Sequence, residues 1–433
     1  MGILLERCFH PIGQGAFYTE KFFDFDRDRN NFFNVVYDCG TETSQKTIVS
    51  EIKSCFTFKE QIDAVFISHL HNDHVNGLKY LIDYCDVKNI FLPLLTEEEK
   101  IEALLHNAIY SRNNVFIQNL ISAQDVNRIP DFKGKVYFIG YEDERFSDEG
   151  SSFRLDPDDN RFNRESSSKK NGQKEPILKS GTEITTCLGN EWTFSPFNYK
   201  ARDKSTLLIK ELNDRGISLE SADDFKKMWK DIKTQKKLRN AYKNLNRELN
   251  SNSMTLYSGP KHEPFYMNYI KKGSFYYKHW MDYESSLSFL RFLHLYDNYL
   301  PYYYREYFKC PFLEIIDDVP CFLNRWNKIK DQPPLGCLYL GDYDANNWEE
   351  LNNKYKNYWG KIGMIQVPHH GSPHNYNFKL NKKEADIFII SAGGNNKYGH
   401  PDPSIFNSLL NDRKFPFLIS ENKNSEIRIL GEF

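Results

Sequence analysis

Short apolar runs and amphipathic stretches alternate along the first third of the chain. Apolar runs of this length predict buried strands, and the amphipathic stretches between them predict helices, an order typical of α/β proteins. The pattern predicts strands at 33–38, 62–68 and 89–94 and helices at 44–55 and 75–85. A further helix is predicted at 96–111, because Thr96 followed by three glutamates is a typical capped helix start.

The same alternation returns near the end of the chain, where apolar runs predict strands at 361–367, 385–391, 415–420 and 426–430. SMTLYSG (253–259) and GCLYLGD (336–342) look like the two strands of one hairpin, although a long segment separates them. We therefore predict one α/β domain built from residues 1–258 and 335–433, with an insertion at 259–334.

Three segments depart from this alternation. Residues 141–180 contain few aliphatic side chains and many Asp, Ser, Lys and Asn, so we predict a polar loop. Residues 220–249 have acids early and bases late, which suits the dipole of one long charged helix. The insertion at 259–334 is rich in aromatic and basic residues and has a stretch that is apolar over a wide helical arc. We predict a small helical cap packed on the main domain.

Composition and charge narrow the class of protein. Hydrophobic residues make up 40% of the 433 residues and charged residues 27%, which is enough apolar material for a folded core. The formal net charge of −2 excludes a global basic field, so any nucleic-acid binding has to come from a local patch. No signal-peptide core and no apolar stretch of about 20 residues is present, and the eight cysteines form no CxxC pair. We expect a cytoplasmic protein with reduced thiols and no membrane association.

The candidate chemistry is concentrated in one hexapeptide directly after a predicted strand. HLHNDH at 69–74 holds three imidazoles and one carboxylate, a density that is costly unless a cation organises it. A turn after a buried strand lets His69 and His71 point into one site, while Asp73 and His74 at the start of a helix address a second. The spacing therefore predicts two adjacent metal sites.

This hexapeptide resembles the HxHxDH motif of the metallo-β-lactamase superfamily. Further segments resemble, in the same order, those of the ComEC-like competence hydrolases and their soluble relatives: HPIGQG (10–15), VVYDCG (35–40), NS (252–253), LGD (340–342), VPHHGS (367–372) and NKYGHP (396–401). The resemblance covers most of the predicted main domain and excludes the insertion. It implies a four-layer αββα metallo-β-lactamase sandwich, here with a helical, aromatic-rich insertion, and metal-dependent hydrolysis.

The resemblance assigns metal ligands residue by residue. It implies that His69, His71, Asp73 and His74 are ligands, and that Asp342 bridges two cations. One carboxylate shared by two cations holds them about 3.5–4 Å apart, the separation that clamps the attacking and the leaving oxygen of a displacement. Asp342 follows an apolar run at a predicted strand end, where its side chain can reach such a site.

Four further residues have roles that the resemblance leaves less defined. One of His369 and His370 is expected to be a metal ligand, and the other a hydrogen-bond partner of a ligand or of the substrate. His400 either ligates a cation or donates a proton to the leaving group. Asp38 is expected to orient a ligand histidine through that histidine's other ring nitrogen.

One departure from the superfamily pattern concerns the first metal site. Many members supply a further histidine between HxHxDH and the bridging aspartate. The histidines of this chain in that interval have no recognisable context: His106, His262, His279 and His294. His106 lies on a predicted amphipathic helix, where we expect a packed or surface side chain. The first metal site is therefore completed by the HHGS loop, by water, or not at all.

Histidine and aspartate ligands without a redox-specific set predict hydrolysis by a hydroxide that two divalent cations activate. These ligand types favour Zn²⁺, with Mn²⁺ next. The expected catalytic residues are Asp73, His370 and His400. The same site chemistry serves several substrate classes, so fold alone does not choose among them.

Phosphodiester cleavage, in a phosphodiesterase or nuclease, is the leading hypothesis. We expect the insertion to bind nucleic acid or nucleotide through Lys271, Lys272, Tyr276 and Trp280. One alternative is a hydrolase of a small phosphoester or nucleotide, over which the insertion closes a pocket. The other is a low-turnover metal-bound module that binds a protein partner through 259–334, in a bacterial system resembling phage defence.

Overall fold

The computed structural model describes residues 3–24, 32–111, 114–126, 128–141, 152–155, 177–186, 189–199, 204–245, 253–272, 275–277, 333–394 and 396–433. Within these ranges the strands are β1 (Ile3–Phe9), β2 (Phe17–Asp24), β3 (Phe32–Cys39), β4 (Gln61–Ile62), β5 (Ala64–Phe66), β6 (Asp86–Val87), β7 (Asn89–Pro93), β8 (Lys135–Ile139), β9 (Ser152–Leu155), β10 (Ile177–Leu178), β11 (Glu183–Thr186), β12 (Gly189–Phe197), β13 (Thr255–Pro260), β14 (Met267–Lys272), β15 (Phe275–Tyr277), β16 (Gly336–Tyr339), β17 (Ile362–Gln366), β18 (Ile387–Ser391), β19 (Phe415–Ile419) and β20 (Ile427–Glu432).

The helices of the same ranges are α1 (Gln45–Cys55), α2 (Asn72–Val75), α3 (Leu78–Tyr84), α4 (Glu97–Tyr110), α5 (Val115–Ile121), α6 (Ala123–Val126), α7 (Lys204–Asp214), α8 (Ala222–Met228), α9 (Ile232–Leu245), α10 (Trp348–Lys354) and α11 (Pro403–Asn411). The start of α4 is the capping box that the sequence predicts, with Thr96 and Glu99 bonded reciprocally. In the described part of the chain, none of the helices combines the length and hydrophobicity that crossing a bilayer requires.

The described strands form two large sheets, of ten and eight strands. The first has the order β10-β8-β7-β5-β3-β2-β1-β20-β14-β15, and the second has the order β19-β18-β17-β16-β13-β12-β11-β9. In the first sheet β3, β5, β7 and β8 run parallel, and in the second β16, β17, β18 and β19 run parallel. The carboxyl ends of parallel strands meet at one edge of a sheet, where loops hold functional side chains.

Aromatic rings from both sheets share one apolar cluster. Tyr37 of β3 stacks on Tyr339 of β16, with 4.8 Å between ring centroids. Phe66 of β5 lies 5.8 Å from Phe194 of β12 by the same measure. Burial of such rings removes large apolar areas from water. The strands whose ends carry the candidate site are therefore held by this cluster.

Helices contribute to two further clusters, one for each sheet. Ile48 of α1 shares a cluster with Val65 of β5. Leu409 of α11 shares another with Ile365 of β17. Successive side chains of a strand point to opposite faces, so strands that are buried on both faces read as nearly continuous apolar runs. This burial explains why the sequence pattern located these strands.

Two predictions about helices and loops are corrected. The single charged helix at 220–249 is instead two helices, α8 and α9. The Asp231 carboxylate accepts a hydrogen bond of 2.8 Å from the backbone N–H of Thr234, so a new helix start is capped inside the charged run. The predicted loop at 141–180 contains β9 and β10, which add strands to the second and first sheets; the rest of it, except for Tyr141, Lys179 and Ser180, lies outside the described residues.

The predicted insertion is described only at its two ends. Strands β14 and β15 lie within 259–334, and they extend the first sheet beyond β20 instead of forming helices. Residues 278–332 of the predicted helical cap lie outside the described residues. The hairpin partners on either side of the insertion do pair, since β13 runs antiparallel to β16.

Candidate metal centre

The HLHNDH segment lies at the carboxyl edge of the first sheet, between β5 and α3. His69 and His71 follow β5, and Asp73 and His74 lie in the one-turn helix α2. Gly40, just after β3, touches the backbone of this turn: a Cβ atom at residue 40 would lie 2.6 Å from the carbonyl carbon of Asp73. Only glycine permits this approach, which holds α2 against the end of β3.

Asp342 reaches the same place from the second sheet, just after β16. Gln366 Oε1 accepts hydrogen bonds from the backbone N–H groups of Leu340 (2.8 Å) and Gly341 (2.7 Å), which fixes the turn. Asp342 Oδ2 lies 3.6 Å from His69 Nε2, and Oδ1 lies 3.4 Å from His74 Nε2. One carboxylate therefore directs an oxygen toward each of two histidines.

Two sets of potential ligands result. In each set the donor atoms all lie within 4.8 Å of one another, and the sets are His69, His71 and Asp73, and Asp73, His74, Asp342 and His370. They are contiguous, because Asp73 belongs to both and Asp342 faces His69 as well. Residues from three separate parts of the chain thus converge on one centre.

Asp38 holds the far side of His74. Its Oδ2 lies 2.8 Å from His74 Nδ1, and the same carboxylate accepts hydrogen bonds of 2.7 Å from the N–H and the hydroxyl of Ser68. With Nδ1 engaged, Nε2 is the nitrogen of His74 that faces Asp342. This is the contact that the predicted role of Asp38 requires. Ser253 supports His69 similarly, with its hydroxyl 3.1 Å from His69 Nδ1.

The HHGS turn brings two more imidazoles to the centre. His370 Nδ1 lies 2.8 Å from the carbonyl oxygen of Ser391 and donates its proton there, so Nε2 faces Asp73 Oδ2 at 3.3 Å. His369 Nε2 lies 3.9 Å from Asp342 Oδ2, outside both sets. His370 is therefore the better placed of the two for ligation.

His400 lies beside His369 and outside both ligand sets. The two rings are nearly parallel, with centroids 5.9 Å apart. The amide side chain of Asn396 fixes the backbone of His400: it donates to the His400 carbonyl oxygen (2.6 Å) and accepts from the His400 N–H (2.9 Å). His369 therefore borders the centre, and His400 lies next to it.

Backbone conformation also singles out this place. Among the described non-glycine residues, six have a positive φ, and three of them are Asp38 (55°), His369 (47°) and His370 (56°). A side chain in the left-handed region costs conformational energy, and such residues cluster at functional sites. The fold thus keeps the left-handed backbone conformation at Asp38, His369 and His370, whose side chains lie at or beside the candidate centre.

The donor atoms fit divalent cations. His69 Nε2 and His74 Nε2 are buried and have no hydrogen-bond partner in the described part of the chain, a costly state unless something binds them. Nitrogen and oxygen ligands of a tetrahedral Zn²⁺ lie about 3.3 Å apart, given bonds of about 2.0–2.1 Å. The contacts of Nε2 of His69, His74 and His370 with the carboxylates of Asp73 and Asp342 are 3.3–3.9 Å, which is close to the spacing of ligands around shared cations.

Electrostatics prepares His69, His71 and Asp342 for metal binding. Burial lowers the pKa of His69 well below its usual value and lowers the pKa of His71 to about 4, so both rings are neutral. Burial alone would raise the pKa of Asp342, but His369 and His74 hold it well below the usual range. Neutral imidazole and ionised carboxylate are the forms that bind metal ions.

His106 is a neighbour of the centre that sequence reasoning missed. It is packed, as the helix pattern predicts, but its ring stacks on His71 with centroids 3.6 Å apart and an angle of 11° between the planes. Its Nδ1 is buried without a hydrogen-bond partner among the described residues. A histidine on the inward face of α4 looks the same in sequence whether it packs against a ligand or against the core.

Three of the four predicted substrate-binding residues, Lys271, Lys272 and Tyr276, belong to strands at the far end of the first sheet. Lys271 and Lys272 belong to β14, where Lys271 is opposite Tyr276 of β15. Five strand spacings separate β14 from β5, which corresponds to about 24 Å along the sheet. Trp280 lies outside the described residues.

Fold and site together define an α/β protein with a cluster of histidines and aspartates that could hold metal ions. Residues 30–113 match the family model of the metallo-beta-lactamase superfamily, a segment that holds HLHNDH and His106. Members of this superfamily are generally hydrolases, and metal-dependent hydrolysis is what the match implies here. Comparison with curated proteins gives no match.

Proposed function

We propose that this protein is a metal-dependent phosphodiesterase that cleaves nucleic acid with two divalent cations, Zn²⁺ in first place and Mn²⁺ in second. The position of Asp342, with one oxygen toward His69 and one toward His74, is the observation that carries the proposal. Two cations held there would supply an activated water and stabilise the charge of the transition state.

Charge favours an anionic substrate. Asp73 and Asp342 carry two negative charges, and His69 and His71 are neutral at working pH because burial lowers the pKa of each ring. Two divalent cations therefore leave an excess of positive charge at the centre. A phosphodiester carries one negative charge, and more develops on its oxygens during displacement, so this excess stabilises binding and reaction.

The protein's own residues hold the geometry. Asp38 orients His74, and the carbonyl of Ser391 orients His370, so that Nε2 of each ring faces the carboxylates. His369 and His400 lie at the border of the centre, where their rings can contact the scissile phosphate or its leaving group. Orientation fixed before the substrate binds lowers the barrier, because less reorganisation is needed during reaction.

The finer fold assignment belongs to the same proposal. Three apolar clusters, one shared by the two sheets and two that include helices, support a four-layer αββα sandwich of the metallo-β-lactamase type. The order of HPIGQG, LGD, VPHHGS and NKYGHP supports kinship with the ComEC-like hydrolases. We retain 1–258 with 335–433 as the hydrolase domain and 259–334 as its insertion.

The test is hydrolysis by the metal-loaded protein. We expect Zn²⁺- or Mn²⁺-dependent cleavage of bis-p-nitrophenyl phosphate and of single- or double-stranded DNA or RNA, and loss of both activities in the Asp73→Ala, His74→Ala double variant. Cleavage of the small ester or of nucleotides without any polymer would favour the small-substrate hydrolase. Absence of all turnover in protein that binds two metal ions would favour the low-turnover partner module.

A second variant separates a polymer from a small substrate. Lys271 and Lys272 lie about 24 Å from β5, so only an extended substrate can contact both places. We expect Lys271→Ala, Lys272→Ala to weaken polymer cleavage most at low salt, to reduce its dependence on salt, and to leave cleavage of bis-p-nitrophenyl phosphate unchanged. Equal loss of both activities would contradict a role in polymer binding.

A further inference from the structure

A second group of metal-binding side chains lies along the same sheet edge, away from the His/Asp centre. Cys8 in β1 and His10 just beyond it are two positions apart, so their side chains share the face of the sheet that α1 covers. Cys55 is the last residue of α1, and Glu426 directly precedes β20, which pairs with β1. β1 is three strands from β5, about 14 Å along the sheet.

His10 is at the middle of this group, which we call the Cys/His cluster: Cys8, His10, Cys55 and Glu426. His10 Nδ1 lies 3.4 Å from Cys8 Sγ and 3.9 Å from Glu426 Oε2. Cys55 Sγ lies 3.4 Å from both ring nitrogens. Sulfur and nitrogen ligands of a tetrahedral Zn²⁺ are about 3.6 Å apart, given bonds of about 2.3 Å and 2.0–2.1 Å. The donor atoms of Cys8, His10 and Glu426 all lie within 4.8 Å of one another, close to the dimensions of a ligand set around one cation, and Cys55 Sγ adjoins this set through its contact with the His10 ring.

Hydrogen bonding alone does not account for this packing. An imidazole nitrogen that is not protonated has one lone pair, so His10 Nδ1 can accept from one thiol, although two thiols lie at 3.4 Å. Thr19 Oγ1 lies 2.9 Å from His10 Nε2. A cation on Nδ1 would fix the ring proton on Nε2, which then donates to Thr19. Metal-binding histidines typically have such a partner on their other nitrogen.

Charge and burial indicate a structural site. Two thiolates and one carboxylate exceed the charge of a divalent cation by one, and Arg428 Nε, 2.6 Å from Glu426 Oε1, supplies the balancing positive charge. Cys8 and His10 are each 1% exposed, whereas the Glu426 side chain is 19% exposed. This set resembles the Cys₂His₂ sites of structural zinc, with Glu426 in the place of the second histidine.

We propose that Cys8, His10, Cys55 and Glu426 bind one structural Zn²⁺ that joins β1, the end of α1 and the segment before β20. The two thiols release their protons to solvent as the cation binds, so two protons leave for each Zn²⁺ that enters. This site is independent of the reaction at the His/Asp centre.

The test is Co²⁺ reconstitution of the full chain, because thiolate-to-cobalt charge transfer absorbs in the near ultraviolet and the His/Asp centre contains no thiol. We expect this band in the wild type and in the Asp73→Ala, His74→Ala variant. Cys8→Ser and Cys55→Ser should each about halve it, since one of two thiolate bonds remains, and the Cys8→Ser, Cys55→Ser double variant should abolish it. Cys85→Ser is the matched control: it removes a thiol that is 2% exposed and outside the cluster, and should keep the full band.

Two outcomes would overturn the proposal. One is a full band in the Cys8→Ser, Cys55→Ser double variant. The other is absence of the band while visible cobalt absorption shows that the His/Asp centre has filled. If circular dichroism shows that Cys8→Ser does not fold, a second experiment replaces it. The folded, zinc-loaded Asp73→Ala, His74→Ala variant is treated with a mercurial reagent that reacts with thiols. It should release one zinc per chain, and release of none contradicts the site.

Discussion

The His/Asp centre and the Cys/His cluster lie at the same edge of one sheet, and they differ in donor chemistry and access. The His/Asp centre has nitrogen and oxygen donors, and the side chains of Asp73 and His369 at its border are 14% and 28% exposed. The Cys/His cluster has two sulfur donors and is nearly closed. Open sites with nitrogen and oxygen ligands leave room for water and substrate, whereas closed thiolate sites hold structure together.

The two groups also differ in how the chain assembles them. The His/Asp centre takes a hexapeptide after β5 and adds single residues from loops of the second sheet. The Cys/His cluster uses strand neighbours and one helix end, all on the first sheet. Changes in the first should therefore alter catalysis and metal affinity, and changes in the second should alter stability. The predictions below test that division, from the largest expected effect to the smallest.

Loss of the shared carboxylate should have the largest effect. In Asp342→Asn the charge that faces both His69 and His74 is removed while the shape is kept. We expect kcat/KM to fall by about 10³-fold, because several kcal/mol of transition-state stabilisation depend on the paired cations. Hydrolysis of bis-p-nitrophenyl phosphate measures this. Asp344→Asn, two residues along the same turn, is the control that should stay close to wild type.

Asp38→Asn should weaken metal binding at the His/Asp centre without removing a ligand. The amide no longer provides the charge that orients His74 through Nδ1. We expect the affinity for Zn²⁺ to fall by about 10–100-fold, as for other partners of ligand histidines. Competition with a chromophoric chelator measures the change. Unaltered affinity would show that Ser68 and the fold alone orient the ring.

His10→Gln should reduce the acid sensitivity of the metal-free protein. Burial lowers the pKa of His10 to about 3 from the usual 6.5. Below the pKa that His10 has in the unfolded state, the unfolded protein therefore binds a proton that the folded protein excludes. The free energy of unfolding falls as the pH falls from that pKa toward the lower pKa of His10 in the folded state. For the wild type, protonation of His10 in the unfolded state lowers the free energy of unfolding by about 2 kcal/mol at about pH 5. Urea unfolding of the wild type and of His10→Gln at neutral and acidic pH measures this loss of stability. Equal pH dependence in the two proteins would contradict the role of His10.

The smallest effect should come from His106, which contacts a ligand without binding metal itself. Its stacking on His71 is worth about 1 kcal/mol, so His106→Ala should weaken Zn²⁺ binding by about fivefold. His106→Phe keeps a flat ring and should retain the affinity. If the Phe variant loses as much affinity as the Ala variant, a ring nitrogen of His106 has a role in the centre.

Part of the fold was accessible from the apolar pattern because buried strands are locally apolar. The runs at 33–38 and 89–94 lie in β3 and β7, and the predicted hairpin formed by β13 and β16 is confirmed. The charged run at 220–249 was misjudged because a capping residue, Asp231, divides it, and overall charge does not reveal a cap. The strands β14 and β15 at the end of the first sheet were missed, since the aromatic and basic residues around them are equally consistent with a helix.

For the site, the sequence showed the donors but not their neighbours. HLHNDH identified a metal-binding place because its residues are consecutive and their geometry follows from one strand, one turn and one helix start. The proximity of His106 to His71, the preference for His370 over His369, and the approach of both Cys8 and Cys55 to His10 were not visible. Each depends on contacts between elements far apart in the chain.

The amino-acid order alone determined the chemical character of this protein: an α/β chain with clustered imidazoles and carboxylates after an apolar strand. Only the tertiary structure decided which carboxylate lies between the histidines and which thiols meet an imidazole. The physical reason is the difference in sequence separation between the residues that interact. Periodicity and capping act over a few residues, whereas the packing of two sheets and their helices fixes distances of a few ångströms between residues hundreds of positions apart, as between Asp73 and His370.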